Sequence, residues 1–431
     1  MSSVWEKTAQ KNEFKSLDRD INTDVLIIGG GITGVLCAYA LSKEGVSCIL
    51  AEAETIGSGI TKNTTAKITV QHGLIYNKLI NKWGIEKAKK YLEINKTALE
   101  KYINICKNIN CDFQKKDSYV YSINNSNKIE KELKALEKLG IKAEFIKDLP
   151  LPFSTAGAVK FSNQAQFNPL KFLYEISKEL NIYEHTRVTE LIGNTAVTKG
   201  GKITAKKIIV ATHFPFINKH GSYFVKMYQH RSYVIALENA PNINGMYVDE
   251  ALKGMSFRNY ENLLLIGGGD HRTGKKGGSY QELRNFAKKY YPDSKEKFHY
   301  ATQDCMTLDE IAYIGDYSGS TKSLYVATGF NKWGMTTSMV AAMILCDMVQ
   351  GKQNDFAEVF SPSRSIFHPQ LAVNIFESTL GLITPKVKRC PHLGCALNWN
   401  RYEHSWDCPC HGSRFTKEGK LIDNPATGDL K

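Results

Sequence analysis

The last tenth of this 431-residue chain concentrates residues that bind soft metals. The segment 389–415, RCPHLGCALNWNRYEHSWDCPCHGSRF, holds four cysteines and three histidines, in a C-P-H motif at 390–392 and a C-P-C-H motif at 408–411. A zinc finger pairs cysteine with cysteine and histidine with histidine, whereas each motif here carries one of each. The pattern favours a [2Fe-2S] centre with two thiolates on one iron and two imidazoles on the other, with structural zinc as the alternative. The predicted metal ligands are Cys390, His392, Cys408 and His411.

The spacing of these ligands closely resembles that of a Rieske domain. In Rieske proteins of the cytochrome bc type a disulfide joins the two ligand loops, and the resemblance places Cys395 and Cys410 at its ends. The alternative is that both remain thiols. His404 lies between the loops and matches no ligand position, so we expect it at the surface. The strands that follow the second loop in Rieske folds have little room here, because Lys431 is 20 residues past His411, so either the fold is minimal or the sequence is truncated.

Ser413 and Phe415, which follow the second motif, are expected to influence the redox potential of the cluster. Ser413 follows His-Gly, where its hydroxyl can donate a hydrogen bond to a cluster sulfur and raise the potential. Phe415 stands where the high-potential relatives have a tyrosine that donates a second such bond. The sequence therefore predicts an intermediate potential, below that of those relatives.

A glycine pattern near the N-terminus predicts a dinucleotide site. Residues 23–54, TDVLIIGGGITGVLCAYALSKEGVSCILAEAE, read as a strand, a glycine turn, a helix and a second strand that ends at Glu52. In the G-x-G-x-x-G of Gly29, Gly31 and Gly34, the first glycine allows a tight turn, the second admits a pyrophosphate and the third lets helix pack on strand. The helix N-terminus then faces the phosphates, and Glu52 is placed to accept hydrogen bonds from a ribose.

Two other segments favour FAD over NAD as the dinucleotide. The stretch 55–67, TIGSGITKNTTAK, suits a loop that wraps a ligand running past the first crossover. A second glycine run at 263–278, LLLIGGGDHRTGKKGG, continues into charged residues that cannot start an amphipathic helix. We therefore expect a loop there and no separate nicotinamide site.

With these motifs, the chain is similar to the FAD-dependent oxidoreductases of the D-amino-acid oxidase superfamily. In that family the dinucleotide fold is interrupted by a substrate domain and returns near the C-terminal end. Two segments of this chain resemble those returning parts: 205–214 (AKKIIVATHF) and 323–349 (SLYVATGFNKWGMTTSMVAAMILCDMV). The resemblance implies an α/β fold in which an FAD-binding Rossmann-type domain carries an inserted mixed-sheet substrate domain, plus a small all-β C-terminal Rieske domain. The implied FAD-binding residues are Gly29, Gly31, Ile32, Thr33, Gly34, Glu52, Thr65, Ala66, Val188, Ala211, Gly329, Gly334 and Met335.

The same resemblance sets the expected domain boundaries. The FAD-binding domain is assigned to 1–90, 160–215 and 300–352, and the substrate domain to 91–159 and 216–299. Residues 353–384 form a polar, proline-containing link and a helix at 371–382 that is expected to pack on the flavin domain, and 385–431 form the Rieske domain. A proline-started helix is expected within 164–180.

Candidate substrate residues are few. Arg258, on the strand MSFRNY, and Arg231 or His230, in YQHRSY, lie in the predicted substrate domain. An arginine facing the flavin can hold a substrate carboxylate in a bidentate pair. An arginine on the solvated side of a sheet is an equal alternative for each.

Composition excludes several other classes of protein. The net charge of +13 is spread along the chain rather than gathered in one stripe, so we expect no nucleic-acid partner. No apolar run is long enough for a membrane span and the N-terminus has no apolar signal region, which predicts a cytoplasmic protein. The six cysteines outside the terminal segment sit singly and are expected to be small buried hydrophobes.

Together the two predicted cofactors indicate an FAD-dependent oxidoreductase. A flavin accepts two electrons and a [2Fe-2S] cluster carries one, so one chain holding both can convert between them. We expect a small substrate, an amine or amino acid, to lose hydride to FAD, with electrons leaving singly through the cluster to an external carrier. The alternatives are a reductase that the cluster feeds and a non-catalytic redox sensor. A Rieske oxygenase is disfavoured, since no 2-His-1-carboxylate iron site is evident.

Overall fold

The computed structural model describes residues 2–385 and 388–430. Its strands are β1 Ile21–Ile28, β2 Cys48–Ala51, β3 Lys67–Ile68, β4 Gln114–Ser122, β5 Glu144–Ile146, β6 Gly157–Gln166, β7 Ile182–Tyr183, β8 Glu190–Ile192, β9 Thr195–Val197, β10 Lys202–Val210, β11 Met227–Glu238, β12 Met246–Asp249, β13 Ser256–Tyr260, β14 Leu263–Arg272, β15 Lys295–Thr307, β16 Tyr313–Asp316, β17 Leu324–Thr328, β18 Asn398–Asn400, β19 Ser405–Asp407, β20 Arg414–Thr416 and β21 Leu421–Asp423.

The helices fall mainly between the strands of the first two sheets. They are α1 Val4–Thr8, α2 Ile32–Lys43, α3 Ile75–Trp83, α4 Ile85–Cys106, α5 Ser126–Lys138, α6 Pro169–Ser177, α7 Tyr223–Lys226, α8 Tyr280–Tyr290, α9 Gly334–Gln350, α10 Ala357–Phe360 and α11 Pro369–Ile383, with a 3₁₀ turn at Ile60–Asn63. As predicted, a proline starts α6, and the Asn168 side chain caps it by accepting from Leu170 and Lys171 amides.

The first sheet is the dinucleotide-binding layer. Its order is β16-β17-β10-β1-β2-β7, with parallel pairing from β17 to β7 and the hairpin β8–β9 added on β10. The end of β1, Val25–Ile28, is buried on both faces, as a parallel strand covered by helices requires. Helices α2 and α9 pack against each other beside this sheet. The predicted strand–turn–helix units at 23–54 and 323–349 are therefore neighbours in space.

The second sheet is mixed and has the order β15-β11-β14-β13-β12-β4-β6-β3, with β5 paired to β6. The predicted domain boundaries cut across it, because β3, most of β6 and most of β15 fall in segments assigned to the FAD-binding domain. Strand β15 joins the second sheet through twelve residue pairs with β11, from Met227↔Thr307 to Glu238↔Lys295. Hydrogen bonds between segments far apart in the chain decide this membership, and local patterning does not show them.

The strand-like run that ends in LLLIGG continues as a strand to Arg272, so the loop predicted to follow it is wrong as far as that residue. Strand β14 runs through Gly267 and Gly268 to Arg272 and pairs with both β11 and β13. A Cβ added at Gly267 would lie 2.8 Å from Ser256 Oγ, so the glycine allows a close approach between neighbouring strands. No separate glycine turn leading into a helix forms here.

The C-terminal domain is a small antiparallel sheet. Strands β18 to β21 pair in chain order, and the two ligand loops extend from them. Helix α11 precedes the sheet, as predicted for 371–382, and Asn374 joins it to the preceding domain by donating to Val225 O. Among residues 2–385 and 388–430, no helix is both long and apolar enough to cross a membrane.

Candidate functional site

The glycine turn between β1 and α2 is shaped by close backbone approaches. Gly29 has φ +109°, and a Cβ there would lie 2.6 Å from Ala211 O. A Cβ on Gly34 would collide with Gly29 O. At Gly31 the nearest atom to an added Cβ is Thr61 Oγ1 at 3.5 Å. The first and third glycines therefore pack tightly against neighbouring backbone, whereas the second leaves free space beside the neighbouring cavity.

Glu52, at the end of β2, is held by this turn. Its Oε2 accepts the Gly30 amide at 2.5 Å and its Oε1 accepts the Glu54 amide at 2.8 Å. Burial raises the pKa of the carboxyl, while these two amides act in the opposite direction. The carboxylate lines the cavity, where the sequence predicts a ribose contact.

The cavity has a volume of about 760 Å³ and runs from the glycine turn to the second sheet. Most residues predicted to contact FAD line it, whereas Gly34 and Ala66 lie behind its wall. Those in the lining are Gly29, Gly31, Ile32, Thr33, Glu52, Thr65, Val188, Ala211, Gly329, Gly334 and Met335. The glycine-walled turn, the ribose-facing carboxylate and the N-terminus of α9 fit the pyrophosphate, ribose and pyrimidine parts of FAD, respectively.

Polar residues of the second sheet form the far wall of this cavity, and the sequence analysis missed them. They are Tyr228 and Ser232 on β11, Asp270 on β14 and Asp304 on β15, with Lys332 opposite from the loop before α9. Lys332 Nζ lies 2.6 Å from Asp270 Oδ1. Burial raises the pKa of Asp304 to about 6, and no side chain in the described part of the protein hydrogen-bonds to its carboxylate. The alternation of side chains between the two faces of each strand was the available sequence signal. Only the pairing of the strands in the sheet shows which of those faces borders the cavity.

Lys67 is a further cation in the cavity wall that the sequence analysis missed. Its Nζ donates to Thr65 Oγ1 at 3.1 Å. Burial, with the nearby Arg258 guanidinium, lowers the pKa of Lys67 to about 7. This amine can therefore gain or lose a proton near neutral pH.

Arg258 does not reach the cavity. Its Nη1 donates to the carbonyls of Thr65 and Ala66, both at 2.8 Å, and its guanidinium lies over the Trp5 ring. The side chain is 1% exposed, and burial lowers its pKa to about 10. The predicted grip on a substrate carboxylate is at odds with this placement, since the guanidinium holds the loop before β3 instead.

Arg231 also points elsewhere, toward the C-terminal domain. Its Nε donates to Glu403 Oε1 at 2.8 Å, and its Nη2 contacts Glu403 Oε2. Arg414 donates to the same carboxylate at 2.9 Å. Burial favours the neutral acid, but the two guanidiniums prevail and lower the pKa of Glu403 to about 2. Arg231 therefore binds the two domains together, contrary to its predicted role at the substrate.

His230, the third candidate on this stretch, is buried and does not line the cavity. Its Nδ1 has no hydrogen-bond partner within the described residues. Burial, together with the nearby Lys332 charge, lowers its pKa to about 4. The imidazole is therefore neutral at physiological pH.

The four predicted metal ligands converge in the C-terminal domain. The rings of His392 and His411 lie 5.0 Å apart between centroids. His392 Nε2 is 2.9 Å from Asn218 Oδ1, while His392 Nδ1 and both nitrogens of His411 are buried without a hydrogen-bond partner among the described residues. Orphaned imidazole nitrogens are costly unless a metal takes them, so the histidine pair fits an iron site.

The two thiols complete the ligand set. Cys390 and Cys408 are buried and are not part of the disulfide. Hydrogen bonding with Cys408 and, against the effect of burial, with Ser413 lowers the pKa of Cys390 to about 7. A lowered pKa favours the thiolate that iron binds. Ser413 thus stands beside a ligand sulfur, as its predicted role requires.

Cys395 and Cys410 are paired as a disulfide that joins the two ligand loops. The sulfurs of Cys395, Cys408 and Cys410 all lie within 4.8 Å of one another. Since two of these are committed to each other, Cys408 is the thiol of this group that remains for metal. Gly381 of α11 backs the disulfide, because a Cβ there would collide with Cys410 Sγ. His404 is exposed, as predicted.

One short loop after β10 touches both sites. Ala211, Thr212 and His213 line the dinucleotide cavity. The ring of Phe214 packs edge-on against His392 and His411, with centroid separations of 6.5 and 6.4 Å. The cavity and the metal centre are therefore separated by the width of this loop.

The C-terminal domain reaches back to the same loop. Asn424 Nδ2 donates to Thr212 O at 2.6 Å and to Phe214 O at 2.7 Å, and Asn424 itself lines the cavity. Gln229 and Gln303 of the second sheet donate to the carbonyls of His411 and Gly412, both at 2.9 Å. These contacts fix the second ligand loop against the flavin-side domains.

Fold and site together define a flavoprotein oxidoreductase joined to a Rieske-type iron–sulfur centre. The family model for FAD dependent oxidoreductase (DAO) matches residues 24–348, and that for the Rieske [2Fe-2S] domain matches residues 363–431. The chain belongs to the DAO family of FAD-dependent oxidoreductases and carries a C-terminal Rieske domain, with FAD and a [2Fe-2S] cluster as its cofactors.

Individual proteins show the same architecture. YhfW of Bacillus subtilis (strain 168), a protein named for a Rieske 2Fe-2S centre, is 35% identical over all of this chain and 97% of its own length. Among solved structures, glycine oxidase from Geobacillus kaustophilus aligns with TM-score 0.65 at 17% identity, covering 80% of this chain and 99% of its own. L-proline dehydrogenase from P.horikoshii aligns with TM-score 0.67 at 17% identity, covering 81% and 98%. These neighbours confirm the predicted fold.

Proposed function

We propose that the protein is a dehydrogenase that oxidises a small amine or amino acid at FAD and passes the electrons singly through the Rieske cluster to an external carrier. The observation that carries this proposal is the loop Ala211–Phe214, which lines the FAD cavity at one end and packs against both cluster histidines at the other. When bound, FAD accepts a hydride and the [2Fe-2S] cluster carries one electron at a time.

Residues of the cavity can bind the dinucleotide and the substrate that this reaction needs. The glycine turn and Glu52 hold the dinucleotide, and the far wall of the cavity is left for substrate. Asp304 is the free carboxylate of that wall, and it attracts the ammonium group of an arriving amine. Because its pKa is raised to about 6, it can also accept the proton that the amine must lose before hydride transfer.

The proposed substrate class is consistent with the charged residues that line the cavity and is supported by the structural neighbours. Arg187 is the one arginine in the cavity lining within the described residues, and it lies beside Glu54 at the ribose end. A substrate carboxylate would therefore have to use a lysine of the lining, which holds Lys67, Lys78 and Lys332. The structural neighbours named glycine oxidase and L-proline dehydrogenase act on small amino acids by their names, which supports a substrate of this size.

An anaerobic reduction experiment tests the proposal. We expect one or more members of a panel of small amines and amino acids to bleach the flavin absorbance. In Cys408→Ser that bleaching should persist while turnover with a one-electron acceptor is lost, because a serine hydroxyl is a poor iron ligand. Cys48→Ser, in a half-buried cysteine of β2, is the matched control and should behave as the unmodified protein.

Three outcomes would contradict this function. Unchanged one-electron turnover in Cys408→Ser would show that electrons bypass the cluster. Flavin that no substrate bleaches, but that a reduced ferredoxin reduces through the cluster, would reverse the direction and make the protein a reductase. Absence of turnover in either direction would favour a redox sensor.

A further inference from the structure

Helix α11 is amphipathic in the inverse sense: its polar side faces the protein. Asn374 accepts from Arg272 Nη1 at 3.1 Å and donates to Val225 O at 3.1 Å. Glu377 forms an ion pair with Lys275, and Gly381 lies against the disulfide. These inward residues recur at intervals of three and four, which defines one helix face.

The other side of α11 is apolar and exposed to solvent. Phe376 is 62% exposed and Ile383 is 69% exposed. The exposed large apolar residues of the helix are Val373, Ile375, Phe376, Leu380, Leu382 and Ile383. At 100° per residue, these side chains cover an arc of about 180° around the helix axis. A surface helix normally turns its apolar stripe inward, so this face requires a cover in the working protein.

The exposed face continues onto the cluster-bearing domain. Leu393, next to the cluster ligand His392, is also exposed. Leu382 Cδ2 lies 4.0 Å from the position of an added Cβ on Gly394 in the same ligand loop. We call Val373, Ile375, Phe376, Leu380, Leu382, Ile383 and Leu393 the apolar face. One edge of it is the first ligand loop of the cluster.

The sequence near the apolar face carries more cations than acids. The segment 365–395 contains Lys386, Lys388 and Arg389 but a single acid, Glu377. That acid is on the inward side and is neutralised by Lys275. Arg389 donates to carbonyls at the C-terminal end of α11, including Leu382 O at 2.9 Å. The segment that forms the apolar face therefore contributes no free carboxylate, and cationic residues follow α11 in the sequence.

We propose that α11 lies flat in the interface of an anionic phospholipid membrane, with the apolar face among the acyl chains. Apolar side chains over half of the helix circumference suit a helix that is immersed in lipid as deep as its own axis. A partner helix would cover a narrower stripe of about 100°. The fifteen residues span about 22 Å, too short to cross a bilayer core, so the helix lies along the surface. Cations beside such a helix add attraction to acidic lipids.

Vesicle sedimentation of the full-length holoenzyme tests this placement. We expect co-sedimentation with vesicles of phosphatidylglycerol and phosphatidylcholine, weaker binding to pure phosphatidylcholine, and weakening by added salt. The double variant F376S/I383S should bind at least about tenfold more weakly, since two large apolar side chains no longer enter the lipid. Ile192→Ser, in an exposed isoleucine on β8, is the matched control and should bind as the unmodified protein.

A second variant reports directly on immersion. Phe376→Trp should show a blue-shifted tryptophan emission when anionic vesicles are added and none with phosphatidylcholine alone at high salt. Absence of binding to the anionic vesicles, or equal binding by F376S/I383S, would overturn the proposal. A holoenzyme that light scattering shows to be a dimer, and F376S/I383S to be a monomer, would also overturn it and assign the face to a second copy of the chain. The oxidoreductase assay above does not use vesicles, so the two proposals fail independently.

Discussion

Arg231 of strand β11 and Glu403 of the C-terminal domain form a two-point ion pair across the domain boundary. Both side chains are nearly inaccessible to solvent, with exposures of 5% and 11%, and Arg414 shares the carboxylate. A buried ion pair contributes little compared with an apolar replacement, but removal of one partner leaves an uncompensated charge. The pair therefore makes the position of the cluster domain sensitive to a single substitution.

Arg231→Met is expected to destabilise the docked C-terminal domain by about 3–5 kcal/mol, because Arg414 is then left to compensate Glu403, Asp407 and Asp423 together. Urea unfolding followed by cluster absorbance, against flavin fluorescence as the second probe, measures this. Arg284→Met removes a half-exposed pair with Glu296 and should cost less than about 1 kcal/mol. Equal losses in the two variants would show that the domain boundary does not depend on Arg231.

The docking should weaken in acid. The pKa of Glu403 is lowered from an ordinary 4.5 to about 2, so the unfolded protein binds a proton first as the pH falls. Its contribution is complete above about pH 4.5 and is lost as the pH falls from there through about 2. The difference in unfolding free energy between the unmodified protein and Glu403→Gln, measured across this range, should shrink toward low pH. A difference that stays constant would contradict the assignment.

Phe214→Ala should slow electron transfer between the two cofactors. The ring fills the space between the FAD cavity and the cluster histidines, and its loss opens a gap in the packing. Stopped-flow absorbance should show unchanged flavin reduction and slower cluster reduction. Phe330→Ala, in an aromatic of the loop before α9 that also lines the cavity, is the control. A cluster rate that Phe214→Ala leaves unaltered would exclude this loop as the route.

Phe415→Tyr should raise the cluster midpoint potential. Phe415 is fully buried beside Cys390 and Cys408 in the core of the C-terminal domain. A hydrogen bond from the new hydroxyl to a cluster sulfur, at about 1 kcal/mol, corresponds to a rise on the order of 40 mV for one electron. Ser413→Ala should lower the potential by a similar amount. Redox titration with EPR detection measures both, and no rise with tyrosine would refute the predicted tuning.

Much of the local structure and chemistry follows from the sequence because it depends on residues close together in the chain. The G-x-G-x-x-G turn works through the steric freedom of three glycines between a strand and a helix. The iron–sulfur assignment depends on a thiol and an imidazole within each short motif. Backbone sterics and ligand chemistry of this kind act over a few residues, so these motifs carried the family resemblances from which the FAD-binding fold and the Rieske domain were predicted.

The tertiary structure alone decided the partners of individual side chains. Arg231 meets Glu403 across 172 residues, and Arg258 meets the carbonyl of Thr65 across 193, so neither is available for the predicted substrate role. Helix α11 was predicted at 371–382, yet only packing shows that its polar side faces inward. The free energy of burying a charge or an apolar side chain depends on what surrounds it in three dimensions, and chain segments brought together by folding provide those surroundings.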